Sequence, residues 1–379
     1  MRHCARRRRP GAHSDRRLPV AHGYVCEARQ VPARGVSALP EGSQCPGRIA
    51  RAEGRVRRLR RSVDAAHRRT PVRKAPHRGQ GRRRVMGPYS SPVTEAVANV
   101  TEKYKKVMVA PLAATTGIFR KEPRRKYIFM VLSPAEVYFD GLTDIATKRG
   151  LKTVAVVNED TLFSKAAAAG AVNLAKKKGM QVVFQEAYPK GNTDFSGLLT
   201  KIKGVNPDVL AAATYFDDAV ALTRQMRELN VNPKMYGVTI GGDLPEFYDT
   251  LKGNAEYVYG ATQWEPALNY PGNREFVESY RAEFKREPSY FAAAGYAGCL
   301  VYTEGVKRAG SLDADKVREH ILKLDLRTPF GEFKVDPDGV QLAHKMVTFQ
   351  WQKEKKVIVW PDDLAQGKVL FPTPPWTSR

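Results

Sequence analysis

Residues 153–213 read TVAVVNEDTLFSKAAAAGAVNLAKKKGMQVVFQEAYPKGNTDFSGLLTKIKGVNPDVLAAA. Thr153–Val157 is a short apolar run without alternation, the pattern of a strand buried on both faces. Ser164–Lys178 carries Ala-rich helical spacing and stops at Gly179. Gln181–Glu186 is again strand-like, Phe195–Lys203 helical, and Val209–Ala213 a third apolar run after the Asn206–Asp208 turn. Strands linked by helices over such short connections imply parallel strands with helical crossovers.

The same alternation extends both ways. Downstream, Asp217–Leu229 is a helix with Val220, Leu222, Met226 and Leu229 inward. Met235–Ile240 is a strand, Pro245–Thr250 a short helix and Val258–Trp264 a strand. Upstream, Val107–Leu112 and Tyr127–Leu132 are strands. Pro92–Tyr104 is a helix with Val93, Val97 and Val100 on one face. Ser133-Pro-Ala-Glu136 has the residues of a helix start, Ser to cap, Pro at the first position and Glu at the third, leading into Val137–Arg149. The pattern then changes. Arg274–Lys285, Phe291–Ala309 and Ala314–Leu324 are successive helices. Gly331–Val335, His344–Gln352 and Lys356–Trp360 follow as strands, with turns at Asp336–Gly339 and Lys353–Lys355.

The chain has 379 residues, a length suited to two lobes, and a net charge of +24. That charge is not spread evenly. Residues 1–86 hold 24 bases against 5 acids, and residues 87–379 hold 39 bases against 34 acids. The extreme basicity therefore belongs to the head. The head has 23 Arg but 1 Lys, Tyr24 as its sole Phe/Trp/Tyr-class aromatic, and no sustained hydrophobic period. Such a segment buries too little apolar surface to offset its ordering entropy, so disorder is expected. It also lacks the apolar stretch of a secretory signal. It reads either as a basic arm for nucleic acid or acidic partners, or as an out-of-frame translation of a GC-rich gene. The abrupt change near Val85 favours the second reading. Cys4, Cys26 and Cys45 fall in the head at spacings of no metal motif, and Cys299 lies in a small-residue run typical of a packed thiol. No run of 18 apolar residues occurs.

Catalytic signatures are missing. The sequence contains no dinucleotide-binding, P-loop, nucleophile-elbow or zincin motif. His320 and His344, the histidines of residues 87–379, read as surface or strand residues. What recurs instead is hydroxyls at strand-to-helix turns: Ser90 and Ser91, Thr115 and Thr116, and Tyr215. Solutes bind beyond the carboxyl ends of strands in open α/β sheets. Helix N-terminal N–H groups beside Ser or Thr hydroxyls cradle a carboxylate. Simple helix capping is the competing role for each hydroxyl.

Five stretches carry a resemblance: GPYSSPVTEAV (87–97), APLAATT (110–116), VAVVNEDTLFSKAAAAG (154–170), NPDVLAAATYFDDAVALTRQMRELNVNPKMYG (206–237) and PSYFAAAGYAG (288–298). Together they resemble the periplasmic branched-chain amino acid substrate-binding proteins of ABC transporters, the leucine/isoleucine/valine type, from Met86 to near Pro361. The resemblance implies an α/β fold of two doubly wound parallel-sheet lobes joined by three crossover strands. It places the first part of lobe 1 at 86–134, lobe 2 at 135–262, the return to lobe 1 at 263–328 and C-terminal strands on lobe 2 with a tail at 329–379. Residues 1–85 stand where the family carries its first strands and helices, so lobe 1 is expected to be incomplete at its N-terminus.

By the same resemblance, Ser91 with Ser90 beside it, and Thr115 with Ala113, hold the solute carboxylate. Tyr215 is a contact from lobe 2, and Phe163 stands at a family tyrosine position without its hydroxyl. The family acid that pairs with the solute ammonium falls at Thr239, which has no charge. Either Asp217 or Asp218 replaces it, or the solute lacks an ammonium; amides, urea-like solutes and aromatic or aliphatic carboxylates stay open. The implied partners are a small-molecule amino acid or related acid or amide and an inner-membrane ABC permease. A monomer in the periplasm is implied, with no cofactor, no metal, no nucleic acid and no enzymatic activity. The alternative is a ligand-sensing regulator whose basic head binds DNA; an enzyme of doubly wound fold is the third reading.

Overall fold

The computed structural model describes residues 85–379. The expectations about residues 1–84 lie outside the described residues. Lobe 2 is built on a seven-stranded sheet in the order β12-β11-β8-β7-β6-β4-β5. Its parallel part comprises β4 (Thr153–Glu159), β5 (Gln181–Tyr188), β6 (Val209–Ala213), β7 (Met235–Val238) and β8 (Tyr259–Thr262). β11 (Val347–Gln352) runs antiparallel to β8, and β12 (Lys355–Trp360) antiparallel to β11. Lys353 and Glu354 both take positive φ at the tip of that last hairpin, the backbone of a type I′ turn.

Successive residues of β4 explain why both sheet faces are covered. Val154 and Val156 join one apolar cluster with α3 (Asp140–Lys148) and α4 (Leu162–Lys177), through Leu142, Ile145, Ala167 and Ala171. Ala155 and Val157 join another with α5 (Ser196–Val205) and α6 (Phe216–Glu228), through Leu199, Ile202, Leu222 and Met226. A strand with two buried faces has no polar alternation, which is why 153–157 reads as an unbroken apolar run. Between β7 and β8 lies α7 (Pro245–Leu251), whose Phe247 and Leu251 close the second cluster.

Lobe 1 holds a three-stranded parallel sheet, β1 (Val85–Met86), β2 (Met108–Ala110) and β3 (Ile128–Met130), with β2 central. One face packs Met108, Ala110, Ile128 and Met130 against Ala98 of α1 (Ser91–Lys103) and Ile118 and Phe119 of α2 (Thr116–Phe119). The other packs Val109 and Phe129 in one cluster with Ala294 and Ala297 of α9 (Tyr290–Ala309) and Ile321 of α10 (Ala314–Leu322). α8 (Asn273–Phe284) precedes them. α1 turns Ser91, Thr94, Ala98 and Thr101 inward, leaving Val93 48% and Val100 55% exposed. The Thr94 hydroxyl donates to the Pro88 carbonyl at 2.8 Å, which makes the polar face the inner one.

Three segments cross between the lobes, and buried hydrogen bonds bind them. The Ser133 N–H donates to Gln263 Oε1 at 2.9 Å, and Gln263 Nε2 donates to the Tyr138 hydroxyl at 2.8 Å. His344 completes the tie. Burial lowers its imidazole to about 4, so it is neutral near pH 7. Nε2–H then donates to the Phe330 carbonyl at 3.0 Å, and Nδ1 faces the Ser133 hydroxyl at 2.9 Å.

Several expectations are corrected. Ser133 does not cap a helix: its hydroxyl and N–H serve the crossing, Ala135–Val137 is a 3₁₀ turn, and α3 begins at Asp140. His344 is a core residue stacked on Phe330, outside any strand. The Asp336–Gly339 turn is not part of a meander on lobe 2. Met130 N–H donates to the Gly339 carbonyl at 2.8 Å, so the chain is still beside β3 at residue 339. β9 (Leu326–Thr328) and β10 (Gly331–Phe333) form a separate antiparallel pair. The chain leaves lobe 1 for good after residue 340.

Two predictions follow from this packing. A Cβ on Gly170 would stand 2.1 Å from the Glu136 carbonyl oxygen, because α4 packs directly on the 3₁₀ turn. Gly170→Ala should cost about 2 kcal/mol or more in a denaturant titration. The depressed His344 pKa means that the unfolded chain binds a proton between about pH 6.5 and 4 that the folded one refuses. Stability from this group is full above that window and falls as pH drops through it. Thermal melts of His344→Gln should show a flatter acid limb than the native protein.

Candidate functional site

A narrow pocket of about 10 Å³, room for about one water, lies between the lobes. From lobe 1 it takes Tyr89, Ser90 and Ser91 of the β1–α1 turn, Leu112 and Ala114 of the β2–α2 turn, and Tyr290 at the start of α9. From the first crossing and lobe 2 it takes Leu132, Tyr138, Phe163, Tyr215 and Ile240. These positions follow the carboxyl ends of β1, β2, β3, β4, β6 and β7, the ligand edge of open α/β sheets. Gly87 makes the close approach possible, since a Cβ there would be 3.0 Å from the Ala110 Cα.

The lobe 1 side is polar without being charged. The Ser91 hydroxyl oxygen accepts the Ala114 N–H at 3.2 Å, which leaves its proton to donate. Ser91 is also the first residue of α1, so the helix N-terminus adds a positive field. Such a cradle suits a carboxylate. The walls are aromatic: Phe163 meets Tyr138 edge-on at 5.1 Å and Tyr215 at 5.5 Å, while Tyr89 meets Phe291 edge-on at 5.3 Å. Desolvation raises the Tyr215 hydroxyl to about 12 and keeps Tyr138 and Tyr290 neutral. The Tyr215 hydroxyl faces Ser90 and Thr161 across the pocket.

Of the residues expected from sequence, Ser90, Ser91, Phe163 and Tyr215 come together on the pocket wall. Ala113 and Thr115 are fully and almost fully buried beside Leu112 and Ala114, which line it in their place. The Thr115 hydroxyl is buried without a partner. Thr239 does not line the pocket. Its hydroxyl donates to the Thr214 carbonyl at 2.6 Å and accepts the Thr214 N–H at 2.9 Å, tying the ends of β6 and β7. Asp217 points to the exposed side of α6, and Asp218 is the inward acid. Sequence reasoning missed Tyr89, Tyr138 and Tyr290. Tyr290 lies within the quoted 288–298 stretch and Tyr89 within 87–97, so a polar aromatic beside each turn was the available signal.

Asp218 is held by the Tyr188 hydroxyl, which donates to its Oδ2 at 2.5 Å. Desolvation first, and the nearby charge of Glu159, push its carboxyl up to about 7. A wider furrow of about 610 Å³ runs along residues 266–272 and the first turns of α8. Its charges pair on the surface, Arg274 with Glu278 at 3.1 Å and Arg281 with Glu287 at 2.7 Å. Among the described residues no group of three metal-ligating side chains occurs, and no helix is long and apolar enough to cross a membrane.

The raised Asp218 pKa sets a pH dependence. The folded protein keeps a proton between about pH 4 and 7 that the unfolded chain releases, so stability from this group is full below that window and is lost as pH rises through it. Asp218→Asn keeps a hydrogen bond to Tyr188 and removes the charge. Its melting temperature should therefore gain on that of the native protein as pH rises from about 5 to 8.

The sequence profile of a family described as periplasmic binding protein matches residues 79–356. A Leu/Ile/Val-binding protein homolog 7 of Brucella abortus is 28% identical over 229 residues, 58% of this chain and 57% of the relative. The chain thus spans little more than half the length of the curated relatives it matches. Among solved structures, a leucine binding protein, LivK, of Thermotoga maritima superposes with a TM-score of 0.67 at 24% identity, over 74% of this chain and 81% of that one. A solute binding protein of an R. palustris ABC transporter, solved with benzoate, gives 0.64 at 18% identity, over 72% and 76%. At these identities the structural likeness speaks for the fold. The profile match over most of the chain carries the assignment: the protein belongs to the periplasmic binding protein family, whose members bind solutes for transporters and are not enzymes.

Proposed function

We propose that this protein is the extracytoplasmic capture component of an ABC importer and holds a small carboxylate-bearing solute between its lobes. The observation that carries this reading is the pocket itself. The Ser91 hydroxyl, oriented by the Ala114 N–H, and the start of α1 form a donor set on one lobe, and Phe163, Tyr138 and Tyr215 supply apolar walls from the other. The pocket has no Lys or Arg among its lining residues, so an anion is met by hydrogen bonds and a helix dipole rather than an ion pair. As the lobes stand, its volume of about 10 Å³ is far below the roughly 300–1,000 Å³ common for small-molecule sites. The lobes therefore open about the three crossings to admit a solute. The permease that receives the solute, and delivery in the periplasm, belong to the same reading and rest on family membership.

The test is a thermal-shift and calorimetric panel of leucine, isoleucine, valine, benzoate and short amides on the full chain. At least one carboxylate should stabilise the protein. Ser91→Ala should weaken its binding by roughly tenfold or more, the worth of one hydrogen bond to a charged group. Absence of stabilisation by every carboxylate, or indifference to Ser91→Ala, would contradict the proposal.

A further inference from the structure

Lys356 of β12 carries a largely buried ammonium, its side chain 17% exposed. It donates to the Asp243 carbonyl at 2.8 Å, to the Asp243 carboxylate at 3.0 Å and to Glu265 Oε1. Those three acceptors match the three N–H donors of an ammonium. The Asp243 side chain is 3% and that of Glu265 13% exposed. The ammonium also lies 5.5 Å from the centre of the Phe349 ring of β11, so it sits over the sheet rather than in solvent.

Each acid belongs to a part of the chain that capture uses. Asp243 ends the 3₁₀ turn Ile240–Gly242, and Ile240 lines the interlobe pocket. The same turn presses on a second pocket residue: a Cβ on Gly241 would stand 2.1 Å from the Tyr215 carbonyl oxygen. The Trp351 indole N–H donates to the Gly242 carbonyl at 3.0 Å and holds the turn from the sheet side. Glu265 lies two residues beyond Gln263, the amide that ties the crossings together. One ammonium thus joins a pocket wall to the second crossing.

A tie made for stability alone needs one carboxylate. Two on one ammonium leave a negative charge uncompensated when both are ionised, which is costly away from water. Among the described residues no other cation pairs with either acid. The remaining titratable groups that face the cluster are Tyr138 of the first crossing and Tyr290 of α9; both face Asp243 and both are neutral. Burial pushes the Glu265 carboxyl well above the usual carboxylate range, and Lys356 draws it back only in part.

Resting on the capture reading above, we infer that Lys356 is a positioning residue for capture: its ammonium clamps the Ile240 wall of the pocket to the second crossing, and ionisation of Glu265 tightens the clamp. A neutral Glu265 leaves Lys356 gripping Asp243, so the wall is held while the crossing is bound only weakly. An ionised Glu265 adds a charge-assisted hydrogen bond, and the wall then moves with the crossing as the lobes close. The clamp touches no solute. It keeps Ile240, and through Gly241 the Tyr215 backbone, where the closed lobes require them.

The experiment uses the full chain and the substitutions Glu265→Gln, Lys356→Arg and Lys356→Met. Calorimetry with leucine, isoleucine, valine and benzoate runs from about pH 5 to 9. Hydrogen exchange of the solute-free protein is followed over the same range at the Gly242 and Asp243 amides, which close the 3₁₀ turn. In the native protein, affinity for the tightest probe and protection of those amides should both rise with pH through the Glu265 titration. Glu265→Gln should match the native protein within about twofold at the acid end. At the alkaline end it should fall behind roughly fivefold in affinity, without a lower melting temperature. Lys356→Arg should keep most of the affinity and Lys356→Met lose roughly tenfold; if Lys356→Met does not fold, the Glu265→Gln comparison decides. Parallel pH profiles for native and Glu265→Gln, or a melting temperature that falls with the affinity, would overturn the clamp and leave the capture reading standing. Failure of every probe to bind would count against the capture reading, and the exchange profile, which needs no solute, would still decide the clamp.

Discussion

The three segments that pass between the lobes depend on one buried amide. Gln263 accepts the Ser133 N–H and donates to Tyr138, so the second crossing holds the first at the point where the chain enters lobe 2. Ser133 in turn faces His344 of the third crossing. None of these side chains carries a formal charge at neutral pH, given the depressed His344 imidazole. A satisfied neutral network fixes the geometry of the crossings without the desolvation cost of a buried ion pair. Everything that lines the pocket is placed relative to this tie, since Leu132 and Tyr138 flank Ser133 and Ile240 and Phe163 pack from the lobe it introduces.

Much of lobe 2 was legible because its strands are buried on both faces. Apolar runs at 153–157 and 209–213 admit few other readings, and Gly150 and Gly179 end helices at positive φ as their positions suggest. The hinge was not legible. Ser133-Pro-Ala-Glu has the residues of a helix start, but its capping groups are taken by residues more than a hundred positions away. Local propensity lost there to a long-range hydrogen bond. The outward stripe of α1 is a similar case: Val93 and Val100 share a helix face, yet the Thr94 and Ser91 contacts choose the opposite face for the core.

The site divides along the same line. Ser91, Phe163 and Tyr215 were readable because they sit at strand-to-helix turns, where the chemistry of a turn is local. Thr239 shows what the sequence leaves open: a hydroxyl at a strand end can tie β6 to β7 as well as touch a solute, and both of its bonds here go to Thr214. The pocket thus sets the Ser91 hydroxyl and the start of α1 on one lobe against aromatic walls on the other, and a solute that complements both stabilises the lobes against each other.

The most direct measurement is a crystal structure of the protein with the solute that binds it most tightly. The account predicts the solute between the lobes, its carboxylate within hydrogen-bonding distance of the Ser91 hydroxyl, and its body against Phe163 and Tyr215. A solute seated in the furrow beside Tyr270 and Arg274, with the interlobe pocket untouched, would contradict it.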